Sequence, residues 1–144
     1  MIIPDINLLV TAHATQMPQH APAREWWRTL VASEEPVALP WVVLLGFVRL
    51  MSNRRLFTTP FTVEQATDVT RDWLALPSIS VLEPGPLHLE LYIGLARDAH
   101  ASAELVTDLH LAALAIEHRC ELHSNDADFG RFRGLRWRNP LARP

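Results

Sequence analysis

The chain has 144 residues, of which 49% are hydrophobic and 20% are charged, and its formal net charge at pH 7 is -3. This composition predicts one globular domain over residues 1–144 and excludes a disordered or fibrous chain. The single cysteine, Cys120, cannot form an internal disulfide, so we expect a cytoplasmic protein. Because no apolar run could cross a bilayer and no signal-peptide pattern opens the chain, we expect no membrane association.

The first half of the chain alternates short apolar runs with amphipathic stretches. An apolar opening, Met1 to Pro4, predicts a strand that ends at Asp5. Residues 37–39 lie between Pro36 and Pro40 and predict at best a short edge strand, because proline cannot donate a hydrogen bond to a neighbouring strand. Apolar residues at helical spacing predict helices over residues 7–14, 23–33 and 41–52.

The second half repeats this alternation. Thr62, followed by Glu64 and Gln65, predicts a capped helix that runs to about residue 76. Further helices are predicted over residues 87–100 and 108–118, and strands over residues 79–82, 121–124 and 135–137. Strands that alternate with helices predict an α/β fold whose mainly parallel sheet is covered on both faces.

Three acidic clusters stand where apolar runs begin or end. Asp5 follows the first strand, Asp108 begins a late helix, and Asp126 and Asp128 follow the strand over 121–124. Each aspartate alone is explained as a helix cap, but all three places belong to one rim of an α/β sheet, where such folds bind ligands. Carboxylates that meet repel one another unless a cation neutralises them. The pattern therefore predicts a site for a hard divalent ion, Mg²⁺ or Mn²⁺.

Two polar residues beside these acids are candidates for an outer shell. Asn7 could hydrogen-bond Asp5 or a metal-bound water, and Ser124 could orient Asp126. Both are equally ordinary as helix-start or turn residues. The histidines show no paired zinc-binding spacing, so the sequence does not predict a structural zinc site, and His110 is expected to face the core or the solvent.

Taken in order, five segments of the chain resemble the PIN-domain family, and most closely its VapC-type ribonuclease toxins. The segments read IPDINLL at 3–9, GFVRL at 46–50, TDLHLAALA at 107–115, SNDADF at 124–129 and LRWRNP at 135–140. Each motif is weak alone, but their order is specific. The resemblance implies a three-layer α/β/α sandwich and a Mg²⁺- or Mn²⁺-dependent endoribonuclease. It also implies a cognate antitoxin as partner, RNA as substrate and a homodimer.

Carried over from the family, the first, third and fourth acids fall on Asp5, Asp108 and Asp126, with Asp128 as an auxiliary ligand. The second acid of most relatives would stand near Gly46, where this chain has no carboxylate. We therefore expect one well-held ion rather than two, and a glycine there would widen the cavity. Glu104 or Asp128 could contribute through water.

All thirteen basic residues are arginine, and five of them crowd the last fourteen positions. Arginine binds phosphate well, so this tail suits a polyanion, although a solvated terminus explains it equally. Arg49, Arg54 and Arg55 are the candidates for contacts with the RNA backbone, and a solvated helix end is the alternative for them.

Two other functions compete with the nuclease. In the first, loss of the second acid leaves a non-catalytic module that only binds RNA or the antitoxin. The second is a phosphate-accepting signalling domain, which would need a lysine near its aspartate. This chain contains no lysine, so we do not favour that reading.

Overall fold

A parallel sheet organises the chain, which a computed structural model describes over residues 1–143. Within those residues its five strands lie in the order β3-β2-β1-β4-β5, and every neighbouring pair is parallel. The strands are β1 (Ile2–Pro4), β2 (Val37–Pro40), β3 (Ile79–Leu82), β4 (Glu121–His123) and β5 (Trp137–Arg138). The predicted α/β fold with a mainly parallel sheet is confirmed.

Helices form the two outer layers. They are α1 (Ile6–His13), α2 (His20–Ala32), α3 (Trp41–Met51), α4 (Val63–Leu74), α5 (His88–Asp98) and α6 (Val106–Glu117). The connections β1 to β2 and β2 to β3 cross the sheet in one direction, whereas β3 to β4 crosses it in the other. Right-handed crossovers therefore place α1 to α4 on one face and α5 with α6 on the other. The contacts agree, because α1 touches α2 and α3, α3 touches α4, and α5 touches α6.

The central position of β2 corrects one prediction. Residues 37–39 were expected at a sheet edge, but β2 lies between β3 and β1 and all four of its residues are buried. The two prolines stand outside or at the end of the strand, so Val37, Ala38 and Leu39 keep their N–H groups for the ladder. The apolar pair Ala38 and Leu39 then packs under helices on both sides of the sheet.

Helix starts follow local chemistry. Thr62 and Gln65 form a reciprocal capping box at α4, as the sequence predicts. By contrast, α2 begins three residues earlier than expected, because Pro22 is tolerated in a first turn. A short 3₁₀ turn, Ala103–Leu105, leads into α6, which begins at Val106 rather than at the predicted residue 108, so Asp108 lies inside the first turn of that helix.

The core lies between the sheet and its helices. Strand residues Ile3, Leu39 and Leu122 are fully buried, and so are Leu111 and Leu114 of α6. Burial of this apolar area is the main stabilising contribution to the fold. Within the described part of the chain, no helix has the length and apolar character needed to span a membrane.

The strand register fixes the position of the first acid. Pro4 of β1 pairs with His123 of β4, so Asp5 and Ser124 each come one residue beyond the paired strand ends. The N–H of Asp5 continues the ladder by donating to the carbonyl of His123 at 2.9 Å. Chain connections leave β1 and β4 toward opposite faces of the sheet, which opens a crevice at their carboxyl ends.

Candidate metal-binding active site

Asp5 is buried immediately after the carboxyl end of β1. Its backbone is extended and its side chain caps α1, accepting a hydrogen bond from the N–H of Ile6 at Oδ1, 2.7 Å away. The other oxygen, Oδ2, accepts a hydrogen bond from the hydroxyl of Ser124 at 2.8 Å. Only 5% of the residue is exposed, so the carboxylate is held in one orientation by two donors.

Ser124 connects Asp5 to a second acid. Its Oγ also accepts a hydrogen bond from the N–H of Asp126 at 3.0 Å, and Asp126 accepts one at Oδ1 from the N–H of Asp128 at 2.9 Å. Asp126 is thereby the cap of the short 3₁₀ segment Ala127–Arg131. Arg131 closes the chain with an ion pair from Nη2 to Oδ1 of Asp128 at 3.0 Å. One hydrogen-bonded chain thus runs from Asp5 to Arg131.

Asp108 approaches this chain from the first turn of α6. Its pKa is raised from 3.8 to about 6, first by burial and then by the negative charges of Asp5, Asp126 and Asp128, while Arg131 opposes the shift. Burial likewise raises the pKa of Asp5 to about 6, against the hydrogen bonds from Ser124 and Ile6. Hydrogen bonds thus connect Asp5, Asp126 and Asp128 beyond the ends of β1 and β4. Asp108, in the first turn of α6, lies near enough for the charges of these three acids to raise its pKa.

The donor set suits a hydrated hard cation. Within residues 1–143 no three His, Cys, Asp or Glu side chains are grouped closely enough to hold an ion directly as they stand. Mg²⁺, however, keeps several waters and is commonly held through only one or two carboxylates. A cation among these acids would also relieve the repulsion that raises the pKa of Asp108. The residues present fit a partly hydrated divalent ion.

Gly46 of α3 packs directly against α1. A Cβ added to Gly46 would lie 2.6 Å from Cδ1 of Ile6 and 3.1 Å from its Cγ1, so the Ile6 side chain fills the space beside the glycine. The widened cavity expected there is not found. Both residues are buried, and the position offers neither a carboxylate nor room for one.

Other predicted site residues lie apart from the acids. Asn7 is exposed, and in the described part of the chain its side chain makes no hydrogen bond to an acid. Glu104 is exposed and bonds to Ser102 instead.

Two of the three predicted arginines, Arg54 and Arg55, lie near the far end of α1. Arg49, Arg54 and Arg55 are all exposed. Arg54 and Arg55 lie in the chain between Met51 and Phe57, and these two residues line a small cavity with His13. His13 is the last residue of α1, so this cavity is at the opposite end of α1 from Asp5. The structure thus places Arg54 and Arg55 away from the acids, whereas Arg49 is an exposed residue of α3. Their role in RNA binding remains a prediction.

Arg131 was not among the site residues predicted from the sequence. The sequence analysis counted it only as one of the five arginines in the basic tail. Its spacing of three residues from Asp128 is the signal that could have identified it, because residues three apart on a helical turn face one another.

Comparisons with known proteins match this architecture. The PIN domain family matches residues 2–135. Ribonuclease VapC33 of Mycobacterium tuberculosis is 40% identical over 141 residues, which cover 98% of this chain and 99% of that relative. VapBC2 from Rickettsia felis, solved with a DNA fragment from its promoter, has a TM-score of 0.70 at 18% identity and covers 96% of this chain and 98% of that one.

A second solved structure, VapC20 of Mycobacterium tuberculosis, is described as a sarcin-ricin loop cleaving toxin. It has a TM-score of 0.66 at 18% identity and covers 94% of this chain and 99% of that chain. At these identities the two solved structures establish the fold alone.

A parallel sheet between two helical layers, with carboxylates at the carboxyl ends of β1 and β4, defines an α/β/α protein with an acidic crevice. The family match covers nearly the whole chain, and the curated relatives over its full length are named VapC ribonucleases. The chain belongs to the PIN domain family. The resemblance predicted from its motifs is confirmed.

Proposed function

We propose that this protein is a Mg²⁺- or Mn²⁺-dependent endoribonuclease of the VapC type, the toxin of a toxin-antitoxin pair. The observation that carries the proposal is the hydrogen-bonded chain Asp5–Ser124–Asp126, whose two carboxylates also raise the pKa of Asp108. The ribonuclease names of relatives at 40% identity support the reaction class. RNA is then the substrate, and the cytoplasm is the compartment in which the protein would meet it.

Asp5, Asp108 and Asp126 would hold the ion, with Asp128 as an auxiliary ligand. When bound, such an ion activates a water and stabilises charge on the phosphate during an in-line displacement. The protein's own contribution is orientation. The hydroxyl of Ser124 donates to Oδ2 of Asp5 and the N–H of Ile6 donates to Oδ1, so this ligand is preorganised before substrate binds.

Arg131 supplies a positive charge beside the acids. Its ion pair with Asp128 holds the guanidinium at the rim, where arginine suits a phosphate oxygen. Arg49, Arg54 and Arg55 would meet the RNA backbone further along, which contributes affinity without sequence choice.

RNA cleavage by acid-substituted variants tests the proposal. Structured RNAs are incubated with wild type, Asp5→Asn and Asp108→Asn in Mg²⁺ or Mn²⁺, and with Asp98→Asn as the control, because Asp98 is an exposed acid at the end of α5. We expect metal-dependent cutting that both site variants abolish and the control retains. Tight RNA binding without cutting by metal-replete wild type would favour the non-catalytic module instead.

Apolar clefts beside α2 support a helical partner. One cleft of about 590 Å³ lies between α2 and α4 and includes Trp27, Val31 and Trp73. Another of about 570 Å³ follows the opposite side of α2, with Trp26 and Arg138. An amphipathic segment of the cognate antitoxin would lay its apolar side in such grooves.

A homodimer is part of the same proposal. Two large apolar side chains one turn apart on α3, Trp41 and Leu45, are 51% and 62% exposed, and a second copy of the chain would cover them.

A further inference from the structure

Every polar atom of Ser124 makes a hydrogen bond, although the residue is completely buried. Its hydroxyl donates to Asp5 at 2.8 Å and accepts from the N–H of Asp126 at 3.0 Å. Its own N–H donates to the carbonyl of Arg138 at 3.1 Å. The remaining atom, the carbonyl oxygen, accepts a hydrogen bond from Nε1 of Trp137 at 3.0 Å. Because a buried network of this kind is rigid only when it is complete, the position of the hydroxyl depends on all four bonds.

The pairing of β4 with β5 explains why a side chain must supply the fourth bond. The two strands are parallel, and the N–H of Ser124 continues their ladder by donating to the carbonyl of Arg138. In a parallel ladder, the residue that donates back lies two positions after the residue that accepts, which is position 140 here. That position holds Pro140, which has no N–H. The indole of Trp137 takes the place of the missing backbone donor.

The ring of the same tryptophan lies against the turn that carries another acid. A Cβ added to Gly130 would lie 3.2 Å from Cζ3 of Trp137 and 3.6 Å from Cε3, so the ring packs on the backbone at this glycine. Gly130 belongs to the 3₁₀ segment Ala127–Arg131 and comes two residues after Asp128. One half-buried side chain thus contacts both Ser124 and the turn that holds Asp128.

We propose that Trp137 is a positioning residue of the acidic site, which acts through Ser124 to hold Asp5 and Asp126 in the arrangement that binds a divalent ion. The inference rests on the proposed function, because it concerns the ligands of that ion. Outer groups that orient metal ligands typically contribute about 10–100-fold to metal affinity. Trp137 bonds to neither carboxylate itself, so its contribution passes through the Ser124 hydroxyl.

Loss of the indole N–H would leave the buried carbonyl of Ser124 without this donor, which is costly. The peptide would relieve that cost by turning its carbonyl toward water, and the same peptide leads to Asn125 and Asp126. Because the N–H of Asp126 donates to the Ser124 hydroxyl, such a turn disturbs the position of Asp126. It also disturbs the hydrogen bond that the hydroxyl donates to Asp5.

Mn²⁺ binding to the full-length protein tests the proposal, measured by electron paramagnetic resonance, which distinguishes free from bound ion without any RNA. Trp137→Phe keeps an aromatic ring and removes the indole N–H. Thr70→Val is the control, because Thr70 is buried in α4, which carries none of the four acids, and its hydroxyl also donates to a backbone carbonyl, that of Thr67 at 2.7 Å. At a temperature at which circular dichroism shows all proteins folded, we expect the Mn²⁺ dissociation constant to rise about tenfold in Trp137→Phe and to stay unchanged in the control.

NMR of the wild type supplies a readout that needs no variant. The indole N–H of Trp137 should exchange slowly with solvent, and the indole of Trp41, a residue that is 51% exposed, is the reference for fast exchange. The Trp137 resonance should also shift when Mg²⁺ saturates the acidic site, because ion binding by Asp5 changes the hydrogen bond that Asp5 accepts from Ser124.

Two results would overturn this proposal alone. They are equal Mn²⁺ affinity in wild type and Trp137→Phe, and a Trp137 indole resonance that does not respond to Mg²⁺ although the ion is bound. Wild type that binds no Mn²⁺ would instead overturn the proposed function, and this inference with it.

Discussion

The raised pKa of Asp108 makes the stability of the protein depend on pH. Its folded-state pKa of about 6 exceeds the unfolded value of 3.8, so its contribution to stability is fully present below about pH 3.8 and is lost as the pH rises through 6. Asp108→Asn should therefore stabilise the metal-free protein at pH 8 and have little effect at pH 4. Because the carboxyl is half-exposed, we expect a gain of about 1 kcal/mol rather than the full value of the shift.

Urea unfolding in EDTA at the two pH values measures this difference, with Asp98→Asn as the control. The comparison of variant with wild type removes the opposing effect of the partly buried His13 and the buried His123, whose lowered pKa values destabilise the protein as the pH falls below 6.5. An Asp108→Asn gain that is equal at pH 4 and pH 8 would show that the carboxylate is not electrostatically strained.

Ser124 should tune the acidity of Asp5. Its hydrogen bond lowers the pKa of Asp5 against the effect of burial, so Ser124→Ala should raise that pKa above about 6. Because Asp5 must be ionised to hold a cation, the acidic limb of the pH–rate profile should move to higher pH. RNA cleavage measured from pH 5 to 9 checks the shift, and Ser52→Ala, at the end of α3, serves as control. If Ser124→Ala lowers the maximal cleavage rate but leaves the acidic limb of the pH–rate profile at the same pH, the role of Ser124 is purely structural.

At the scale of elements, the contact between α1 and α3 depends on the absence of a side chain at position 46. Gly46→Ala should destabilise the protein by about 1–3 kcal/mol through overpacking against Ile6, despite the better helix propensity of alanine. In an Ile6→Ala background the same change should be neutral or stabilising by up to about 1 kcal/mol. Denaturant unfolding of the four proteins of this double-mutant cycle tests the contact. Additive effects would mean that Ile6 is not the residue that excludes the side chain.

Elements with a local signal were predictable from sequence, and those with a tertiary cause were not. The capping box at Thr62 and the apolar run of α3 specify their helices within a few residues. The inner position of β2 depends on the direction in which the β2 to β3 connection crosses the sheet. The prolines that flank β2 give no information about that direction. Similarly, the place of Asp108 inside α6 depends on the 3₁₀ turn before it, for which the sequence has no distinct signature.

At the scale of the whole molecule, convergence of the acids was predictable because parallel strands end at one edge of a sheet. Asp5 and Ser124 follow neighbouring strands, so the rule applies to them directly. The arginines were less predictable. Arg54 and Arg55 follow a helix whose direction is set by tertiary packing, whereas Arg131 is held locally by Asp128.

This placement predicts unequal contributions to RNA binding. In an Asp108→Asn background, Arg131→Gln should weaken RNA affinity more than Arg55→Gln, because Arg131 stands at the acidic rim where the scissile phosphate would lie. Each lost phosphate contact should also reduce the slope of affinity against salt by about 0.7 for a single strand. Fluorescence anisotropy across salt concentrations measures both quantities. A larger loss for Arg55→Gln would place the RNA path at the other end of α1.

Anomalous diffraction from crystals soaked in Mn²⁺ tests the central claim most directly, because it locates the ion without reference to activity. We predict one peak in the crevice, within ligand distance, directly or through water, of Asp5, Asp108 and Asp126, and its loss in Asp108→Asn crystals. Manganese bound elsewhere on the protein, with these three carboxylates free of it at saturating concentration, would contradict the account.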